Sequence, residues 1–216
     1  MKRLIIYDLD GTLVDTSEDL THSANHMRSQ FGLPPLSREA VIRLVGRGVE
    51  RLVAGCLETG DAPTLARGLT MYRSHYGQHL LDHSRLYPGV EPLLAHFQDR
   101  RQAVLTNKPE AFSCTILAGL GVADHFLEII GGDSGYPKKP DPASLKTLLA
   151  RYGVLPSEAV FIGDSAVDVQ TGRCVGVETV TIRQGFADEA ELATAAADVQ
   201  VANFAELLEI AKQRQW

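Results

Sequence analysis

Residues 5–16, IIYDLDGTLVDT, carry the feature that most limits what this chain can fold into: an apolar run that stops on two carboxylates and a glycine. Leu4 to Tyr7 is continuously apolar rather than alternating, the pattern of a parallel strand covered on both faces. Its end delivers Asp8 and Asp10 to one spot. Ionised carboxylates are costly to bury unless something positive meets them. The rest of the chain must supply that partner.

Similar short runs recur at 103–105, 127–130, 159–162 and 177–182, with helical patterns between them. In SLKTLLARYG, Leu145, Leu148, Leu149 and Tyr152 fall on one helical face, and Gly153 reads as the C-terminal stop. Asp141-Pro142 reads as an N-cap followed by proline in the first helical position. Strands alternating with helices predict an α/β fold built on a Rossmann-like, doubly wound parallel sheet. The stretch 16–85 differs, because it lacks a strand pattern. Leu20, Ala24, Met27 and Phe31 share a helical face, as do Val49, Leu52, Val53 and Cys56, and then Leu65, Leu69, Tyr72 and Tyr76. GLPPLS and ETGDAPT supply the breaks. An all-helical module at 16–85 is therefore expected within a core made of 1–15 and 86–216.

The charge balance excludes some partners. With 21 basic and 27 acidic residues the net charge is −6, so no basic surplus exists to neutralise nucleic-acid phosphates or an anionic membrane surface. Lys2-Arg3 and the apolar run after them are too short for a signal peptide, and Asp8 interrupts the run. No apolar stretch approaches membrane-spanning length. Cys56, Cys114 and Cys174 are far apart and read as buried small hydrophobes in a reducing compartment, so the chain reads as cytoplasmic.

In an open parallel sheet, ligands bind beyond the C-terminal ends of the strands. The first strand ends on Asp8 and Asp10, and the second on Thr106-Asn107-Lys108. The third is followed by a loop with Lys138-Lys139-Pro140. The fourth ends on Gly163-Asp164-Ser165, with Asp168 one helical turn later. Acids, a hydroxyl and one or two ammonium groups thus converge at one edge, a composition suited to phosphoryl transfer. One carboxylate can serve as nucleophile and a second as general acid and base. Clustered acids call for a hard cation such as Mg²⁺, and a hydroxyl, an ammonium and backbone N–H groups can hold phosphoryl oxygens.

DLDGTLVDT, LTNK, KKPDP and GDSAVDV, in that order, resemble the four motifs of the haloacid dehalogenase superfamily, and their spacing resembles its phosphoglycolate phosphatase-like branch, with a helical cap after the first motif. The resemblance implies a Mg²⁺-dependent hydrolase of a small-molecule phosphate monoester. It implies Asp8 as nucleophile and Asp10 as general acid and base. Thr106 and Asn107 would bind the phosphoryl group and Lys139 would neutralise it. Asp164 would ligate Mg²⁺ with Asp8 and the main-chain carbonyl of Asp10, and Asp168 would orient the metal's water shell or Lys139. Lys139 is preferred to Lys138 because Lys139-Pro140-Asp141-Pro142 matches the family's Lys-Pro-x-Pro pattern.

Rival chemistries meet specific objections. Dehalogenases of the superfamily lack the second aspartate and the metal acids, whereas Asp10 and Asp164 are present. Phosphonoacetaldehyde hydrolases use a cap lysine, and 16–85 contains none. A β-phosphoglucomutase-like enzyme would have a cap histidine where Leu20 stands. Sugar-phosphate phosphatases and pyrophosphatases of the same branch remain alternatives. A receiver-type switch also clusters acids, Thr and Lys, but carries no cap and places its phosphorylated aspartate on a later strand. Gly46-Arg47-Gly48 reads as a loop between cap helices. If the leaving group carries a carboxylate, as in phosphoglycolate, Arg47 is its natural bidentate partner. His22 and His26, and His75, His79 and His83, repeat every four residues without H-E-x-x-H and read as a solvated or partly packed helix face.

Overall fold

Strand β1 (Leu4–Tyr7) lies at the centre of the molecule, and its side chains divide between two cores. Ile5 and Tyr7 join Val104, Val160 and Ile162 on one face, whereas Leu4 and Ile6 join Ala103, Leu105, Ala159 and Phe161 on the other. This two-sided burial explains the unbroken apolar run; each fully buried aliphatic side chain contributes about 1.5–3 kcal/mol. The computed structural model describes residues 1–187 and 189–216.

After β1 come the short β2 (Val14–Asp15) and the helices α1 (Ser17–Ser29), α2 (Arg38–Ile42), α3 (Val49–Leu57) and α4 (Ala62–Gln78). The chain returns through β3 (Arg85–Leu86), then α5 (Val90–His96), β4 (Arg101–Leu105), α6 (Glu110–Gly119), β5 (Glu128–Ile130) and α7 (Ala143–Tyr152). It closes with β6 (Ala159–Gly163), α8 (Ala166–Arg173), β7 (Glu178–Ile182), α9 (Glu189–Ala195), β8 (Val199–Val201) and α10 (Phe204–Arg214). Six parallel strands form a sheet in the order β5-β4-β1-β6-β7-β8. The chain builds outward from β1 on one side and then crosses to the other, so the strand order reverses at β1. Helices α5, α6 and α10 supply Leu93, Ile116 and Phe204 to the Tyr7 face, and α7 supplies Leu145, Leu148 and Leu149 to the opposite face. This is the expected doubly wound parallel sheet.

The segment between β2 and β3 is helical throughout its regular elements. Leu20, Ala24 and Met27 of α1, Val53 and Cys56 of α3, and Tyr72 and Tyr76 of α4 are buried in a cluster continuous with the sheet through Leu9, Leu13 and Val14. Strands β2 and β3 pair antiparallel, Val14 with Leu86 and Asp15 with Arg85. This pair carries the chain out to the helices and back.

Several details differ from the sequence reading. Two-residue strands leave no periodicity, so β2 and β3 are invisible to it, as are the five-residue α2 and the three-residue β8. Phe31 lies beyond the end of α1 and is half-buried. Helix α7 starts one residue later than read: Pro142 is its cap residue, and Asp141 Oδ1 accepts from the Ala143 N–H at 2.9 Å. Only Cys56 is buried; Cys114 is half-buried and Cys174 exposed at the end of α8. Among the described residues no helix is long and apolar enough to cross a membrane.

Candidate active site

The reversal of strand order at β1 opens a crevice beyond the C-terminal ends of β1, β4 and β6. In-register parallel pairing aligns those ends: Tyr7 sits beside Val104 on one side and Ile162 on the other, and the Asp8 N–H continues the ladder to Ile162 O at 2.9 Å. Residues far apart in sequence therefore emerge at one level. Asp8, Thr106, Lys139, Asp164 and Asp168 are each no more than 7% exposed there.

Lys139 binds two acids at once. Its Nζ lies 2.9 Å from Asp8 Oδ1 and 2.6 Å from Asp168 Oδ1. Burial alone would lower its pKa, but Asp168 and Asp8 outweigh that and raise it, so the ammonium form is secured. Asp8 also accepts from the Leu9 N–H at 2.7 Å. Burial pushes the Asp8 carboxyl up to about 6 against the pull of Lys139.

Among the described residues Asp164 has no ammonium partner. Its Oδ1 accepts from the Thr12 hydroxyl at 2.8 Å and its Oδ2 from the Phe186 N–H at 2.7 Å. Burial, with Asp168 and Asp8 close by, raises its pKa well above the carboxylate range. The close fit around it needs glycine. Gly11 has φ +78°, and a Cβ there would stand 2.2 Å from Asp164 Oδ2. Asp168 does two jobs: Oδ1 holds Lys139, while Oδ2 takes the Ser165 N–H and hydroxyl and caps α8.

One carboxylate oxygen from each of Asp8, Asp164 and Asp168 lies within 4.8 Å of the others. These three carboxyls gather near one ammonium, Lys139, which pairs with Asp8 and Asp168. Oxygen-only donors at this density fit a hard divalent cation. The carboxylate of Asp10 is outside this group. It faces Lys108, whose Nζ lies 2.9 and 3.2 Å from its two oxygens, and it accepts from the Thr16 hydroxyl at 2.7 Å.

Lys108 is the residue that sequence reasoning passed over. It is 6% exposed and also donates to the Tyr76 hydroxyl of α4 at 2.6 Å, so it joins a strand-end acid to the helical segment. The available signal was its place in LTNK, two residues after Thr106. Asn107 is more committed than its motif suggests. Its Nδ2 donates to Gly46 O at 2.8 Å and Lys139 O at 2.9 Å, and its Oδ1 accepts from the Lys139 N–H at 2.8 Å. Its side chain thus clamps the Lys139 loop. Lys138 pairs with Glu50 of α3.

Two spaces adjoin the acids. A cleft of about 780 Å³ is lined by Asp8, Asp10 and Asp164 and by Arg43, Arg47 and Arg51 from the helical segment. Arg47 is exposed on its loop, between Gly46 at φ +98° and Gly48 at φ +92°. A narrow pocket of about 50 Å³ lies between Asp8, Thr106 and Lys108 on one side and Leu20, Leu52, Tyr72 and Tyr76 on the other. The Tyr72 hydroxyl is buried there with no hydrogen-bond partner among the described residues.

Comparison with known proteins adds an independent line. The profile of a family described as haloacid dehalogenase-like hydrolase matches residues 5–182. A phosphoglycolate phosphatase of Chromobacterium violaceum is 36% identical over 217 residues, covering 97% of this chain and 96% of that protein. One from Rhodospirillum rubrum is 38% identical over 200 residues, covering 88% and 83%. The crystal structure of a predicted phosphoglycolate phosphatase from Haemophilus somnus superposes with a TM-score of 0.92 at 30% identity, covering 97% of this chain and 98% of that one.

Proposed function

The chain belongs to the haloacid dehalogenase-like hydrolase family and is a phosphoric monoester hydrolase, and we propose that it hydrolyses 2-phosphoglycolate through an aspartyl-phosphate on Asp8 with Mg²⁺ as cofactor. The observation that carries this reading is the meeting of Asp8, Asp164 and Asp168 around Lys139 at the floor of an arginine-rimmed cleft. We take 16–85 as the cap and 1–15 with 86–216 as the catalytic core, in a cytoplasmic enzyme.

Asp8 Oδ attacks phosphorus, and the bond from phosphorus to the glycolate oxygen breaks. Asp10 gives its proton to that leaving oxygen. Asp10 then takes a proton from water, the water oxygen attacks the acyl-phosphate, and Asp8 is regenerated with release of inorganic phosphate. Lys108 positions the Asp10 carboxyl group, which is the acid in the first step and the carboxylate in the second. Thr106, Lys139 and the main-chain N–H of Asn107 bind phosphoryl oxygens, and Asn107's side chain fixes the Lys139 loop. Asp8, Asp164 and the Asp10 carbonyl would hold Mg²⁺, with Asp168 steadying Lys139 and the metal's water shell. When bound, the ion neutralises the charge gathered between nucleophile and phosphate. Arg47 faces the glycolate carboxylate, which distinguishes this substrate from sugar phosphates and pyrophosphate.

The test is an acid quench during turnover of radiolabelled substrate. With a radiolabelled ester whose leaving group needs no proton, such as p-nitrophenyl phosphate, Asp10→Asn protein is expected to retain label as a hydroxylamine-sensitive acyl-phosphate, and Asp8→Asn protein to retain none. Excess EDTA is expected to stop labelling and Mg²⁺ to restore it. Label on Asp8→Asn protein would overturn the assignment, and comparing kcat/KM across phosphate esters decides the substrate.

A further inference from the structure

Five of the chain's seven histidines gather on the cap, and none of them lines either catalytic space. His22 and His26 are one turn apart on α1. His75 lies in the last turn of α4, His79 follows its end, and His83 lies two residues before β3. Two arrangements result. His26, His75 and His79 stack, with centroids 4.0 and 4.3 Å apart and planes within 25°. Stacked rings turn faces to one another, while nitrogen lone pairs lie in the ring planes, so these three present no common point. His22 and His83 instead meet at 86°, 5.1 Å between centroids. A ring nitrogen from each and a carboxylate oxygen of Asp19 all lie within 4.8 Å of one another.

Asp19 is 1% exposed and tightly held. It accepts from the Ser84 N–H at 2.8 Å, the Ser84 hydroxyl at 2.7 Å and the His83 N–H at 3.0 Å. Burial works to raise its pKa, but the bonds from Ser84 and His83 prevail and lower it, so it is a carboxylate at neutral pH. Asp19 Oδ1 and His83 Nδ1 are 3.0 Å apart. Two ligands of a tetrahedral zinc, with bonds of about 2.0–2.1 Å, stand about 3.3 Å apart. A small relaxation converts one arrangement into the other.

We propose that Asp19, His22 and His83 bind a divalent transition-metal ion, Zn²⁺ by the chemistry of the donors, with water at the fourth position. Two imidazoles and one carboxylate select such an ion over Mg²⁺ or Ca²⁺, which take oxygen ligands. His83 binds through Nδ1 and its ring proton moves to Nε2. That nitrogen lies 3.6 Å from Glu18 Oε1, the kind of outer partner that orients a metal-bound imidazole. The place matters for the fold. Asp19 lies just after β2 and His83 just before β3, so the ion ties together the two connections between cap and core.

The probe is Zn²⁺ titrated into the whole protein in excess Mg²⁺, which keeps the catalytic acids loaded, while the ring nitrogens of isotope-labelled histidine are followed by NMR. One equivalent is expected to shift His22 and His83 and leave the His26–His75–His79 stack in place. Zn²⁺ is expected to slow amide exchange over residues 80–86. His22→Ala and His83→Gln each remove a ligand and should weaken Zn²⁺ binding by more than the roughly 10-fold to 100-fold that loss of an outer partner costs. His75→Ala and Cys174→Ser should leave it unchanged, and turnover in Mg²⁺ should persist in all four. Zn²⁺ affinity that survives His83→Gln, or that falls equally in His75→Ala or Cys174→Ser, would overturn the site.

Discussion

Around the Asp8 cleft the α/β core and the helical segment proposed as its cap supply opposite materials. From the core come Asp8, Thr106, Lys108 and Asp164, just beyond strand ends, with Lys139 on the loop between β5 and α7 and Asp168 in the first turn of α8, all buried. From the cap come Leu20, Val49, Leu52 and Tyr72 as wall, and Arg43, Arg47 and Arg51 as rim. A strand end can hold a buried ion, because the ladder fixes its backbone and the next strand, about 4.8 Å away, presents a counter-charge. A helix face offers area instead, and its side chains can change one at a time without disturbing a ladder. On the proposed mechanism, bond making belongs to the core and discrimination to the helical segment. Substitutions in the core should damage every substrate, and those in the cap should damage some.

The hardest test of that division is Asp8→Asn. Loss of the proposed nucleophile should lower kcat about 10⁴-fold or more on any phosphate ester, in steady-state assays with both phosphoglycolate and p-nitrophenyl phosphate. Substantial turnover of either ester would place the chemistry elsewhere. Lys108→Met comes next, with an expected fall in kcat of about 100-fold on both esters, since Asp10 loses the group that holds it. Tyr76→Phe removes only the cap's hydroxyl from Lys108 and should cost less than about 10-fold. If the two variants were equally damaged, the cap would share in the chemistry and the contrast would fail.

Arg47→Ala sharpens the other half. It should lower kcat/KM for phosphoglycolate by about 10-fold to 100-fold, the worth of one charged hydrogen bond. It should barely change p-nitrophenyl phosphate, whose leaving group has no carboxylate. Equal losses on the two would make Arg47 a closure residue rather than a specificity residue. The smallest effect is expected from Lys138→Ala. Its partner Glu50 and Lys138 itself are both partly exposed, and such pairs contribute about 0–1 kcal/mol. A change in KM of under about 3-fold, read on both esters, is the expected outcome.

Much of the core was legible from the sequence for a local reason. Leu4 to Tyr7 and Ala159 to Ile162 are buried on both faces, so their composition alone marks them as parallel strands, and the residue after each run stands at the sheet's edge. The cap helices were legible because Leu20, Ala24 and Met27, and Val49, Leu52, Val53 and Cys56, repeat at helical spacing. The two-residue β2 and β3, the five-residue α2 and the three-residue β8 were not, since none of them carries an unbroken apolar run or a full period that could reveal it.

Within the site the same line divides residue types from partners. That acids, a threonine and lysines stand beyond strand ends was determined by the sequence itself, because apolar runs and the motifs that end them are contiguous. Which lysine meets which acid was decided only in three dimensions. Lys108 reaches Asp10 across 98 positions, and Lys139 bridges Asp8 and Asp168. Asn107 turns its amide to Gly46 and Lys139 rather than outward. The histidines read as a solvated or partly packed helix face, and packing of α1 on α4 with the return to β3 sorts them into a stack and a converging pair. A sequence specifies burial and period along one chain, whereas charge pairing and ligand geometry depend on distances between chain segments, and those exist only after the sheet and the cap have packed.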